Sequence, residues 1–96
     1  MCGIVVFINL QRNFSFDPSL LIKNMINEVK SRGPDFQNYW IDKENQVYLG
    51  HARLAIIDLN QRSNQPIQTQ DGNWTIIFNG EIYNYEELKK SIENNN

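Results

Sequence analysis

The chain has 96 residues, which is enough for one domain and for burial of only about 60–65% of the surface that the unfolded chain exposes. Apolar residues make up 41% of the sequence and charged residues 21%, a balance typical of a globular protein rather than of a disordered one. The formal net charge of −2 gives no electrostatic reason to expect a nucleic acid or a membrane as a partner.

The first 30 residues predict a strand followed by a helix. Cys2 to Asn9 form an apolar, β-branched run of strand length, which suits a strand covered on both faces. Asp17 is an N-cap acceptor before Pro18, and apolar residues then recur at helical spacing up to a predicted helix end near Lys30. The residues of this apolar stripe are Leu21, Ile22, Met25, Ile26 and Val29.

The remaining sequence predicts strands and one further helix. A turn or loop is predicted over residues 31–35. Runs rich in β-branched and aromatic residues predict strands at 37–41, 46–57 and 74–78. The polar stretch 60–73 is the longest predicted loop and therefore a candidate for substrate access. Asn84, followed by Glu87, gives a capping-box-like start to a second helix, and the whole order of elements favours the α+β class.

The only cysteine, Cys2, directly follows Met1. Removal of Met1 would place a thiol and a free α-amine on one residue, and such an N-terminal nucleophile attacks a carbonyl while its own amine manages the proton. An α-amine titrates near ~8 and a thiol near ~8.5, so both groups are within reach of neutral-pH chemistry without a histidine. Taken alone, however, a lone cysteine in this position is more often a small buried residue at the start of a strand.

Other residue types exclude several classes of site. A single cysteine excludes an intrachain disulfide framework and fits a reducing compartment. One cysteine and one histidine, His51, cannot form a zinc site, so no metal is expected. No apolar run approaches the ~18 residues of a membrane-spanning helix, and residues 1–3 lack the basic start of a signal peptide. The sequence therefore predicts a cytoplasmic chain.

Five segments carry a family resemblance. They are Met1-Cys2-Gly3-Ile4, Arg32-Gly33-Pro34-Asp35, HARLAIIDL at residues 51–59, Gln65-Pro66 and NGEIYNY at residues 79–85. From Met1 to about Leu88, the chain strongly resembles the glutaminase domain of class II glutamine amidotransferases, which are N-terminal nucleophile hydrolases. The segments at residues 32–35 and 53–56 favour the glutamine-hydrolysing asparagine synthetase type over the purine, glucosamine and glutamate synthase types.

The resemblance implies a partial α-β-β-α sandwich of the N-terminal nucleophile hydrolase type. Domains of this family are much longer than 96 residues and continue through further strands, including a Gly-Asp-type segment that helps to bind the substrate's α-amino group. Residues 1–96 are accordingly expected to be the N-terminal half of a glutamine amidotransferase type 2 (glutaminase) domain. Its remainder and the synthetase domain would be absent, leaving open edges and an uncovered apolar face.

The resemblance also assigns catalytic roles. Cys2 would be the nucleophile, and the Asn79 side-chain amide and the Gly80 backbone N–H would form the oxyanion hole. A turn at a strand end is the structural alternative for an Asn-Gly pair. Arg53 would bind the substrate's α-carboxylate through its planar fork, with a salt bridge to Asp58 or another acid as the alternative.

Further roles follow from the same resemblance. Glu81 matches the position that contacts the glutamine amide or amino end, the alternative being an acid in the turn before a helix. Ile56 and Ile57 match positions that line the glutamine pocket, although any core strand contains such β-branched pairs. His51 is interpreted as a structural residue, because the N-terminal amine serves as the base in the resembling family. Three residues are interpreted as fixing loops around the pocket: Arg32, Asp35 and Gln65.

The predicted function is hydrolysis of L-glutamine to glutamate and ammonia through a γ-glutamyl thioester on Cys2. In the complete family protein the ammonia supplies an ATP-dependent asparagine synthetase domain, so ATP and Mg are expected only there and no cofactor is expected in this fragment. Besides L-glutamine, the expected partner is the missing C-terminal half or a second copy. Three alternatives stay open: a non-enzymatic fragment, a glutaminase half serving another acceptor such as a sugar or peptide, and a self-processing hydrolase.

Overall fold

The computed structural model describes residues 2–11, 17–55 and 63–95. In chain order the elements are β1 (Gly3–Ile8), α1 (Pro18–Val29), a 3-10 turn (Lys30–Arg32), β2 (Phe36–Asp42), β3 (Val47–Arg53), β4 (Ile67–Gln68), β5 (Thr75–Ile76) and α2 (Tyr85–Asn94). This part of the chain is a small mixed domain with two sheets and two α-helices, consistent with the predicted α+β class.

The larger sheet is antiparallel, with the strand order β1-β3-β2. Its central strand, β3, pairs along its whole length with both neighbours. Gly3 lies opposite Ala52, so Cys2, which precedes β1, is at the same end of the sheet as Arg53. Side chains alternate between the two faces of a strand, so His51 and Arg53 share one face of β3 and Tyr48 and Ala52 share the other.

The helix α1 covers one face of this sheet. It begins as predicted, because the Asp17 carboxylate accepts a hydrogen bond from the Ser19 N–H at 2.9 Å. Ile22 and Ile26 are buried against Tyr48 and form the centre of the core. Burying a side chain of this size stabilises a fold by about 1.5–3 kcal/mol. Partly buried residues complete the core: Val5, Phe7, Met25, Tyr39 and Ile41.

The opposite face of β1 is uncovered in the described residues. Ile4, Val6 and Ile8 point to this face and are 43%, 49% and 53% exposed. The prediction that β1 is covered on both faces is therefore wrong for this part of the chain, because α1 packs on one side and the described residues leave most of the other side open. The apolar run does indicate a strand, but it does not show what covers its second face.

A hairpin replaces part of the predicted long loop. β4 pairs with β5, with Ile67 opposite Ile76. The turn is closed by the Asp71 carboxylate, which accepts from the Asn73 N–H at 2.9 Å, and by Gly72, whose φ of +74° suits glycine. The prediction of a loop over residues 60–73 is thus wrong at residues 67–68, and the strand predicted over 74–78 is only two residues long. An Asp-Gly turn is a known hairpin signal, which explains why this polar stretch can pair.

The second helix begins after Asn84, as predicted, but without the predicted capping box. Asn84 makes no side-chain cap hydrogen bond, because its backbone (φ −104°, ψ 33°) is not in the extended conformation of a typical N-cap. Leu88 and Ile92, the predicted apolar residues of α2, are exposed. In the described ranges, neither helix is long and apolar enough to cross a membrane.

Candidate active site

Cys2 lies just before β1, beside the end of β3. Its side chain is partly buried, and its Sγ accepts a hydrogen bond from the Leu54 N–H at 3.3 Å. The thiol can in turn donate to the Leu54 carbonyl oxygen, 3.9 Å away. Arg32 Nε donates to the Cys2 carbonyl oxygen at 3.4 Å. Cys2 is therefore held by its backbone and by its sulfur, in contact with two separate segments.

The loop after the 3-10 turn is also tied to the end of β3. The Asp35 N–H donates to the Arg53 carbonyl oxygen at 3.0 Å. The Asp35 carboxylate accepts from the Ala55 N–H at 2.8 Å. These two bonds, with the one from Arg32 to Cys2, agree with the loop-fixing role predicted for Arg32 and Asp35.

Arg53 is the last residue of β3 and is only 7% exposed. Its Nη1 donates to the Asn64 side-chain oxygen at 2.6 Å. Asp58, the predicted alternative partner, lies outside the described residues. Arg53 directly precedes Leu54, whose N–H contacts the Cys2 sulfur. A guanidinium is a planar fork of donors whose geometry matches that of a carboxylate.

His51 lies two residues before Arg53 and is fully buried. Its Nε2 is 3.2 Å from the Phe78 carbonyl oxygen, so this nitrogen carries the proton and donates it. Its Nδ1 is buried and has no hydrogen-bond partner among the described residues. Burial lowers the pKa of His51; the hydrogen bond to Phe78 acts in the opposite direction, and the nearby Arg53 charge lowers the pKa further. A neutral ring with a fixed donor fits the structural interpretation of His51.

The lowered pKa of His51 predicts a loss of stability in mild acid. The unfolded chain takes up a proton at the ordinary pKa of 6.5, whereas the folded chain does so only at lower pH. The unfolded state therefore binds more protons just below this pH, and the free energy of unfolding falls as the pH drops through that range. Well above pH 6.5 the His51 ring is neutral in both the folded and the unfolded chain, so it contributes no pH dependence to the free energy of unfolding.

Urea unfolding at about pH 7.5 and about pH 5.5 measures this difference. His51→Gln is the control, because an amide does not titrate. Asp42 and Asp71 have pKa values below their ordinary 3.8 and do not change charge in this range. An equal loss of stability in the parent chain and in His51→Gln would contradict the prediction.

Phe78 brings the predicted oxyanion segment to the sheet. Its carbonyl oxygen accepts from His51, and its N–H donates to the Gln65 side-chain oxygen at 2.5 Å. Asn79 follows and is partly buried, whereas Gly80 is exposed. The bond to His51 places this segment at the part of β3 that ends in Arg53. The structure thus brings Cys2, Arg53 and the start of the Asn79-Gly80 segment to one end of the sheet.

The other predicted pocket residues are placed differently. Glu81 is exposed and lines a cavity of about 480 Å³ that neither Cys2 nor Arg53 lines. The remaining residues around this cavity are Phe78, Gly80, Ile82, Tyr83 and Tyr85. Ile56 and Ile57 lie outside the described residues, so their place in a glutamine pocket stays a prediction.

Sequence reasoning missed Asn64, which holds the Arg53 guanidinium. No signal distinguishes this residue from the other amides of its polar segment, because the contact joins residues that are 11 positions apart in the sequence. In the described ranges, no group of His, Cys, Asp or Glu residues could hold a metal ion.

The whole chain, residues 1–96, matches a family model described as a glutamine amidotransferase domain. The chain belongs to this family of enzyme domains. The match confirms the family resemblance that the five sequence segments predict.

Curated relatives support the same assignment. The chain is 40% identical over 95 residues to asparagine synthetase [glutamine-hydrolyzing] 2 of Bacillus subtilis, covering 98% of this chain and 12% of that protein. It is 43% identical over 94 residues to asparagine synthetase [glutamine-hydrolyzing] 1 of the same organism, covering 97% and 14%. Identity to amidase chry2 of Gibberella zeae is 37% over 101 residues, covering 96% and 15%. The chain therefore spans only 12–15% of the length of these relatives. No solved structure matches it significantly.

Proposed function

We propose that this chain contributes the nucleophile, the carboxylate-binding arginine and the oxyanion donors of a glutaminase that converts L-glutamine to glutamate and ammonia. The observation that carries the proposal is the contact of the Cys2 sulfur with Leu54, the residue next to the buried Arg53. A thiol and a carboxylate-binding guanidinium at one end of a sheet can hold glutamine by its α-carboxylate with its side chain directed at sulfur.

The reaction would proceed in two steps through Cys2, after removal of Met1. The sulfur attacks the γ-carboxamide carbon, and the α-amine of the same residue takes the thiol proton. Collapse of the tetrahedral intermediate breaks the carbon–nitrogen bond, and ammonia leaves with that proton, so a γ-glutamyl thioester forms. Water then adds to the thioester, releasing glutamate and restoring the thiol. The α-amine acts as the base in this step as well.

The oxyanion of both tetrahedral intermediates needs donors placed in advance. We infer that the Asn79 side-chain amide and the Gly80 N–H supply them. Their support is the anchoring of Phe78 to β3, which brings the preceding peptide group to the end of the sheet where Cys2 and Arg53 lie. Glu81, next in sequence, would contact the amide or amino end of the substrate.

The open face of β1 supports a larger domain around this chain. Ile4, Val6 and Ile8 are apolar and side by side on that face. We infer that residues 1–96 form the N-terminal half of a glutaminase domain and that a second sheet covers this face, completing an α-β-β-α sandwich. The names of the Bacillus subtilis relatives further suggest that the ammonia serves asparagine synthesis in a domain outside these residues, where ATP and Mg would bind.

Ammonia release from glutamine tests the proposed function in two proteins. One is the 96-residue chain; the other is a hybrid in which the chain replaces the aligned residues of Bacillus subtilis asparagine synthetase 1. We expect the hybrid to hydrolyse glutamine and the chain alone to do so slowly or not at all, because an open site admits water and holds the substrate less firmly. A folded hybrid with Met1 removed but without glutaminase activity would reject the proposal.

Arg53→Lys in the hybrid should raise KM for glutamine by about 10–10²-fold with a smaller effect on kcat. Lysine keeps the positive charge but replaces a bidentate fork by a single point charge, so binding of the α-carboxylate weakens in the ground state and in the transition state alike. Steady-state kinetics over a range of glutamine concentrations measure the effects on KM and on kcat separately.

Asn79→Ala is the matched comparison for that result. It should lower kcat by about 10²–10³-fold and leave KM nearly unchanged, because an oxyanion donor acts on charge that exists only in the transition state. If Asn79→Ala chiefly raised KM and Arg53→Lys chiefly lowered kcat, the roles assigned to these two residues would be wrong.

A further inference from the structure

Phe78 is held in an unusual way. It lies beyond β5 and belongs to none of the described strands or helices. Even so, its N–H donates to Gln65 Oε1 and its carbonyl oxygen accepts from His51 Nε2. About two-thirds of protein hydrogen bonds join backbone to backbone. Here, two side chains from separate segments take both polar groups of one residue.

His51 is a polar residue at a buried position. The side chain is fully buried in the central strand, and only one of its two nitrogens has a partner among the described residues. An apolar side chain would pack there without leaving a buried polar atom unsatisfied. What histidine adds is a rigid N–H donor that reaches 27 residues along the sequence to Phe78.

Gln65 binds the other polar backbone group of Phe78. Its side-chain oxygen accepts from the Phe78 N–H, and the residue before it, Asn64, holds Arg53. The segment 64–65 thus contacts both the carboxylate-binding arginine and the residue that precedes the oxyanion segment. The two contacts link the predicted substrate-binding group and the predicted oxyanion donors through adjacent residues.

We propose that His51 and Gln65 are positioning residues, which fix Phe78 and thereby set where the Asn79 amide and the Gly80 N–H point during glutamine hydrolysis. The inference rests on the proposed function, since it assumes that residues 79 and 80 are the oxyanion donors. Displacement of catalytic groups by about 1 Å can cost about 10²-fold in rate, so loosening Phe78 is expected to slow the reaction although neither residue touches the substrate.

Amide hydrogen exchange by NMR on the 96-residue chain tests the two contacts directly. Gln65→Met removes the acceptor, and Gln65→Glu keeps one; His51→Leu removes the donor, and His51→Gln keeps one. We expect Gln65→Met and His51→Leu to speed exchange of the Phe78 N–H by at least about tenfold, with recovery in the Glu and Gln variants. The 15N shifts of His51 should show a protonated Nε2 and an unprotonated Nδ1.

Tyr48→Leu is the matched control, because Tyr48 is equally buried on the other face of β3. It should weaken the core without selectively exposing the Phe78 N–H. An unprotected Phe78 N–H in the parent chain, or equal acceleration by Tyr48→Leu, would overturn the proposal. If His51→Leu does not fold, the comparison of Gln65→Met with Gln65→Glu still tests whether the Phe78 contacts fix this residue.

Kinetics in the hybrid supply the functional readout. His51→Leu and Gln65→Met should lower kcat by about 10–10²-fold with KM changed less than about twofold, and the conservative variants should recover most of the loss. Unchanged kcat in an active hybrid would overturn the positioning role even if the exchange results were as expected. Failure of the proposed function has a different signature: Cys2→Ala would hydrolyse glutamine at the parent rate while Phe78 stayed protected.

Discussion

Cys2→Ala is expected to abolish glutamine hydrolysis in the hybrid, lowering kcat by at least about 10⁴-fold. The chain contains no second cysteine, so within residues 1–96 the proposed thioester can form only on this sulfur. The structural cost is small, because the side chain is only partly buried and its described hydrogen bonds are those with Leu54. Release of ammonia from glutamine, followed by a coupled assay, measures the loss.

Two controls separate loss of the nucleophile from loss of structure. Cys2→Ser keeps an acceptor for the Leu54 N–H and should be nearly as inactive as Cys2→Ala, because a hydroxyl is a far weaker nucleophile than a thiolate. Asparagine synthesis from added ammonia should persist in both variants of the hybrid, since that reaction needs no glutaminase. Hydrolysis of glutamine by Cys2→Ala at the parent rate would require another nucleophile.

Gly33→Ala is expected to lower the free energy of unfolding by about 3 kcal/mol or more. A Cβ at this position would lie 2.0 Å from the Ala52 carbonyl oxygen and 2.5 Å from the Arg53 nitrogen, both of them backbone atoms of the central strand. Neither atom can move without breaking the pairing of β3 with its neighbours. The φ of Gly33 is −145°, so close approach and not backbone strain is the cause.

Gly72→Ala makes the same chemical change in a different setting. A Cβ there meets nothing within 4 Å, but the φ of +74° is unfavourable for alanine by about 1–2 kcal/mol. Urea unfolding of both variants of the 96-residue chain, followed by circular dichroism, compares the two costs. If Gly33→Ala were no more destabilising than Gly72→Ala, the close packing of residue 33 on β3 would be wrong.

The first half of the fold could be predicted from the sequence because its signals are local. Asp17-Pro18 and the apolar spacing of α1 predicted both ends of that helix, and β-branched runs predicted β1 and β2 to within a residue or so. The sequence also indicated a turn at residue 33, but not the reason for glycine there. That reason is contact with a strand 19 positions later, which no local pattern reports.

The second half was predicted less well. Short pairing across the Asp71-Gly72 turn was missed because two-residue strands have no periodicity to detect. In the candidate site, the family resemblance selected Cys2, Arg53 and Asn79, but the contacts that hold them could not be foreseen. Asn64 contacts Arg53 through its side-chain oxygen, and Phe78 is held by His51 and Gln65 through its backbone. Hydrogen bonds of this kind join segments that are distant in the sequence and leave no local pattern in it.

The central claim is that Cys2 carries the γ-glutamyl group of glutamine, and trapping that group tests it most directly. The hybrid is mixed with glutamine, quenched in acid within the first turnover, and analysed by intact mass and by mass spectrometry of its N-terminal peptide. We expect a peptide that starts at Cys2, without Met1, and carries one γ-glutamyl group on sulfur that hydroxylamine removes. Release of ammonia at the full rate from protein that keeps Met1, or with Cys2 unmodified at every quench time, would contradict this account.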